Sequence, residues 1–130
     1  MFDFDINFEP ARSDLNRLRD RLDDLSQLVR QLTDLQHQMT LEDYESQVSP
    51  DGSGWDSGPY YHGLVESGDM WSGIVPTYGG DTGTITATDW KSKYHQGGTD
   101  VIPARPFIGI GDRHMQRLKQ LTEQYIAKLL

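Results

Sequence analysis

The stretch between residues 95 and 109, read with the periodic segment behind it, limits this chain more than any other feature. It runs His95-Gln96-Gly97-Gly98, then Ile102-Pro103-Ala104-Arg105-Pro106-Phe107-Ile108-Gly109. Each proline fixes its own φ and pushes the residue before it towards extended geometry. The expected result is a stiff arm that holds Arg105 outward and leads into a helix from about 112 to 129. Met115, Leu118, Thr122, Tyr125 and Leu129 share one face of that helix, with Leu121 and Ile126 beside it. Asp112 near its start and Lys128 near its end suit the helix dipole.

The N-terminal third carries a second periodic signal. Leu15, Leu18, Leu22, Leu25, Val29 and Leu32 step by three and four residues, which keeps them on one stripe. Leu28 and Leu35 widen it and Met39 continues it. The spacing predicts one helix from 14 to about 40, capped by Ser13 or Asp14. The stripe is read as packing on the chain's own sheet, with a free coiled coil as the alternative. Ahead of it, Phe2, Phe4, Ile6 and Phe8 alternate with Asp3, Asp5 and Asn7, a short strand signal that Pro10 ends. Such an acidic extended arm could add to a neighbour's sheet.

Residues 46–61 are rich in Gly, Ser, Pro and Asp, and a loop of that length is functional or disordered. Trp55 is its expected anchor. Residues 74–78 and 84–88 flank a glycine-rich turn and read as a hairpin, with Ile85 and Ala87 facing the core and Thr84, Thr86 and Thr88 facing away. Residues 101–107 are the expected third strand. The fold class is therefore α+β: a long N-terminal helix and a C-terminal helix on a small antiparallel sheet. The organisation is an extended arm at 1–12 and a single domain at 13–130.

With 130 residues the chain suits one modest core. It has no cysteine, so disulfides and thiolate metal sites are excluded. It lacks both a signal-peptide pattern and the roughly 20-residue apolar run of a membrane helix, so a soluble product is expected. Net charge is −8, from 15 Asp and 5 Glu against 8 Arg and 4 Lys. That preference for aspartate resembles proteins of high-salt cytoplasms, where hydrated carboxylates keep a surface soluble while salt screens their repulsion. An ordinary acidic surface is the alternative.

The charges are also segregated. Residues 1–30 hold 7 acids and 5 bases; residues 31–90 hold 10 acids and no Lys or Arg; residues 91–130 hold 3 acids and 7 bases. An acidic middle and a basic end allow head-to-tail stacking of identical copies. The same imbalance argues against a duplex-DNA binder, which needs a basic face.

Catalytic and metal constellations fare poorly. His37, His62, His95 and His114 show no i, i+4 or Glu-x-x-His pairing. Ser67 lacks the leading glycine of a nucleophile elbow. The glycines at 79–83 are not followed by Gly-Lys-Ser/Thr. Asp51, Ser53 and Asp56 lack the calcium-loop frame, and Glu66 with Asp69 does not make a glycosidase pair. The expectation is no enzyme, no cofactor and no metal.

Four motifs in order carry a resemblance. They are Pro50-Asp51-Gly52 with Trp55; Leu64-Val65-Glu66-Ser67-Gly68-Asp69-Met70-Trp71-Ser72-Gly73-Ile74; His95-Gln96-Gly97-Gly98; and the arm at 103–109. Together with the leucine stripe this pattern resembles the virion-morphogenesis, or tail-completion, proteins of Mu-like and P2-like tailed phages. Met70 stands where the family has leucine, Gly73 interrupts its Ser-Ile pair, and residues 90–94 match its Tyr-Ala element loosely.

The resemblance implies a structural virion protein in the neck or at the head-proximal end of the tail. It implies a homo-oligomeric ring, of six copies, that touches neighbouring neck and tail proteins and passes DNA without specific contact. The expected oligomer interface is His95, Gln96, Pro103, Arg105, Pro106 and Phe107, and the expected inter-ring contacts are Phe2, Phe4, Phe8 and Trp55. A soluble coiled-coil interaction module, or an assembly factor not kept in the virion, is the alternative. A small hydrolase using the His95 region stands third.

Overall fold

The computed structural model describes residues 7–55 and 68–129. Two helices come first, α1 (Glu9–Asp23) and α2 (Ser26–Ser46). The side chain of Asn7 accepts the Glu9 N–H at 3.0 Å, and Pro10 occupies the first turn, where its missing N–H costs nothing. Pro10 thus opens a helix, with Ser13 and Asp14 inside it, while most of the expected extended arm lies outside the described residues.

The single helix expected from 14 to 40 is broken. Asp24 is extended (φ −112°, ψ 91°), and its carboxylate accepts the N–H of Ser26 at 3.1 Å and its hydroxyl at 2.6 Å. An aspartate that captures the backbone two residues on competes with helix continuation, a local effect that leucine periodicity does not report. These same hydrogen bonds hold the Asp24 carboxyl below its ordinary pKa. α2 stops at Gln47, which takes the left-handed conformation (φ 59°, ψ 45°).

The chain then reverses in an ordered turn. Ser49 N–H donates to Ser53 O and Trp55 N–H to Gln47 O, both at 2.8 Å, and Val48 pairs with Gly54 as an isolated bridge. The first part of the expected loop at 46–61 is therefore structured as far as Trp55; the rest lies outside the described residues.

After the short helix α3 (Asp69–Ser72) come β1 (Ile74–Gly79) and β2 (Thr82–Ala87). They pair antiparallel with Gly79 opposite Thr82, leaving a two-residue turn of Gly80 and Asp81. The hairpin forms as its pattern predicts, with Ile85 and Ala87 half-buried and Thr84 and Thr86 exposed. Gly83 runs directly under α2, where a Cβ would overlap the Thr33 hydroxyl.

Among the described residues the sheet has these two strands only. The expected third strand at 101–107 is not one. Pro103 and Pro106 supply no N–H to a ladder, so the arm finds other partners. The chain closes with α4 (Ser92–Gly97) and α5 (Asp112–Leu129), the latter spanning the predicted residues.

α2 lies across both strands and α5 packs against α2. The core cluster is Tyr44, Trp55, Met70, Ile74 and Phe107. Tyr44 is its hub, edge-to-face with Trp55 and with Phe107, each at 5.5 Å and 85°. The fold is α+β, with N- and C-terminal helices and a small antiparallel sheet.

The leucine stripe divides at the break. Leu28 and Met39 of α2 are buried, whereas no residue of α1 is. The expectation that the whole stripe packs on the sheet fails for its first half.

Candidate functional site

The arm that was expected to stand out is clamped down. Gln96 at the end of α4 acts as a substitute strand. Its Oε1 accepts the N–H groups of Phe107 and Ile108 at 3.0 and 3.1 Å, and its Nε2 donates to Ile108 O at 2.8 Å. Arg105 N–H donates to His95 O at 2.6 Å, Thr99 N–H to Ile102 O at 2.7 Å, and Trp55 Nε1 to Pro106 O at 2.8 Å. A primary amide offers a donor and an acceptor side by side, as a neighbouring peptide would. Gly98 makes the approach possible: its φ is +74°, and a Cβ there would sit 2.8 Å from Ala104 N.

This geometry places the expected interface residues within one copy. Phe107 is 1% exposed and Trp55 8%, both in the core. Arg105 is 6% exposed, not held outward. The proline bracket sets only the backbone direction, and the hydrogen bond to His95 O lays the arm's backbone against α4. Gln96 is half-buried and engaged in the clamp, and Pro106 is half-buried with its carbonyl bonded to Trp55. Pro103 is exposed, and Phe8 is 67% exposed. Phe2 and Phe4 lie outside the described residues.

His95 is half-buried. Partial burial, and after it the charges of Arg105 and Lys91, push its pKa below the ordinary histidine value, outweighing Asp89. The ring is therefore biased towards its neutral form beside a buried arginine.

A second polar cluster escaped sequence reasoning. Buried Asp43 on α2 takes His114 Nε2 and Arg113 Nη2 on the same Oδ2, each at 2.7 Å. Gly111 N–H donates to His114 Nδ1 at 3.2 Å, which fixes the tautomer with the proton on Nε2. Arg113 also donates to Ser49 O at 3.0 Å, so the cluster ties α2, the 48–54 turn and α5 together. Asp43 and His114 are 71 residues apart, and neither belongs to a motif.

The remaining histidines are placed singly. His37 Nε2 meets Ile74 O at 2.8 Å, and His62 lies outside the described residues. Among the described residues no three His, Asp or Glu side chains gather as metal ligands would, and no helix is long and apolar enough to cross a membrane.

What the surface offers is uncovered apolar area in two places. On α1 and at its two ends, Phe8, Leu15, Leu22 and Leu25 are exposed, Leu15 at 65%. Between α2, β2 and α5 runs an open groove of about 550 Å³, walled by Val29, Leu32, Ile85, Ile108, Met115 and Leu118. Gln36 lines it as well; its Nε2 donates to Gly109 O at 3.2 Å, while its buried Oε1 has no hydrogen-bond partner among the described residues. The stripe and the groove are both apolar and both open.

Comparison of the chain with family models, with curated proteins and with solved structures returns no match.

Proposed function

We propose that this protein is a structural subunit of a tailed-virus particle, one copy of a ring at the neck or the head-proximal end of the tail. The observation that carries the reading is α1. It is a helix with a leucine stripe of which no residue is buried, and a helix of this length is marginal in water without a packing partner. A subunit whose apolar face is finished by another copy accounts for it. The resemblance of the 95–109 arm and the preceding motifs to tail-completion proteins supplies the virion context.

The charge layout fits a ring. Heterologous contacts between an acidic middle and a basic end close when the rotation allows. A lumen presenting the acid-only residues 31–90 would repel phosphates, so DNA would slide through without being held. No catalytic step is required of any residue.

The exposed α1 stripe also favours the second reading, a coiled-coil interaction module that is not retained in particles. The deciding experiment is deletion of the gene, followed by electron microscopy and protein analysis of the particles. Expected are filled heads and tails that fail to join, and the protein present in wild-type particles. Joined, stable tails without it, or its absence from wild-type particles, would exclude the virion role.

A further inference from the structure

We infer that residues 2–6 of one copy add as a strand to the open edge of β2 in a neighbouring copy, with Phe2, Phe4 and Ile6 seated in the α2–β2–α5 groove. This rests on reading the chain as a ring subunit and gives the acidic N-terminal segment its seat there. β2 is paired with β1 on one side, and among the described residues no strand lies on the other. Gly83, Thr84 and Ile85 all line the groove. Successive residues of a strand point to opposite faces, so three in a row mark its edge and not one face of the sheet. An open strand edge beside an apolar cleft takes an extended segment. The main chain supplies the hydrogen bonds, and alternate side chains fill the cleft.

The N-terminal segment has the pattern and the charge that this seat requires. Its residues 1–6 lie outside the described residues, but their sequence is explicit. Phe2, Phe4 and Ile6 recur at every second position, about 7 Å apart along an extended chain, and Phe8 continues the series, 67% exposed. The five residues 2–6 reach about 17 Å when extended, against about 20 Å for the six residues of β2. Apolar walls await them in Val29, Leu32, Ile108, Met115 and Leu118. Exposed Lys119 is the one charged residue lining the groove, and no acid lines it. Residues 2–8 hold Asp3 and Asp5 and no Lys or Arg. With the apolar side chains inward, the aspartates face the mouth of the groove, where they meet a cation and no like charge. The segment is rooted on α1, whose residues are exposed except for half-buried Leu18, so its root is not packed into its own copy.

The chain has no cysteine, so introduced pairs report the contact in the full-length protein. Phe4→Cys is combined with Ile85→Cys and, separately, with Met115→Cys; each is oxidised and its mass measured beside the single variants. Expected is a ladder of covalent oligomers from at least one pair, and none from any single variant. Covalent dimers from Phe4→Cys alone would mean that these segments pair with each other and would overturn the inference. So would a monomer with an internal disulfide, which would seat the segment in its own copy. If the protein is oligomeric by light scattering but neither pair cross-links, the docking is wrong while the ring stands. A protein monomeric at every concentration refutes the docking, and the virion role is then judged on the particles alone. Charge reversal is the second test. Lys119→Glu should raise the concentration needed for assembly severalfold and leave the monomer's melting temperature unchanged. Adding Asp3→Lys and Asp5→Lys to it should recover part of the loss. Assembly of Lys119→Glu at the parent's concentration, or a loss that the reversed segment does not recover, would overturn the inference.

Discussion

The arm at 103–109 and helix α1 exchange the roles their sequences suggest. The arm has two prolines, an arginine and glycines around it, the composition of an exposed connector, yet Arg105 and Phe107 are buried and its carbonyls and N–H groups are matched by Gln96, His95 and Trp55. α1 has the cleaner apolar periodicity, yet none of it is buried. Periodicity states that a face seeks cover; it does not state that the cover lies in the same molecule. Proline brackets state that a segment is extended; they do not state that it is outside. Both inferences fail at the step from local geometry to long-range partner.

The largest expected effect tests the arm as core. Phe107→Ala removes an edge-to-face partner of Tyr44 from a position 1% exposed. It should cost about 3–5 kcal/mol, the transfer loss of an aromatic ring plus the cavity left behind. Chemical denaturation measures it. A loss below about 1 kcal/mol would return Phe107 to the surface role its neighbours suggest.

The clamp comes next. Gln96→Ala strands the N–H groups of Phe107 and Ile108 and the carbonyl of Ile108 in a partly buried setting. A destabilisation of about 2 kcal/mol is expected from unpaired groups of this kind. Gln96→Glu keeps the acceptor and loses the donor, so it should retain part of the difference. Equal midpoints for Gln96→Ala and the parent would show that water replaces the amide at no cost, and the arm would then be only loosely held.

What could be read in advance follows the range of the interaction. The hairpin and α5 are local: alternation, a glycine turn and a repeated apolar face are complete within a dozen or so residues, and both appear where they were expected. The break at Asp24 is local too, but its signal is one carboxylate bonding two residues ahead, which leucine counting passes over. Asp43 with His114, and Tyr44 between Trp55 and Phe107, join residues far apart in the chain, and nothing in their own neighbourhoods marks them. Gln96 was picked out from its motif, but as an interface residue; its pairing with the arm needs Pro103 and Pro106 to be seen as strand-breakers first. For the candidate site, the stripe was legible and the groove was not, since a groove exists only once α2, β2 and α5 are assembled.

The smallest effect is the most telling for α1. Leu15→Ala removes a side chain that is 65% exposed, so little buried area is lost, and alanine is a better helix former than leucine. The dilute monomer should therefore melt within about 0.5 kcal/mol of the parent, as surface substitutions do. The difference should appear only with concentration. A partner that binds the folded state raises the melting temperature by mass action, so the parent should become more stable as it is concentrated. On the proposed ring Leu15→Ala should follow a flatter curve, because there the seam it weakens lies between copies. If the two curves run parallel, Leu15 takes no part in assembly. If instead the dilute variant is markedly less stable than the parent, α1 is covered by its own chain in solution, and the contrast between helix and arm dissolves.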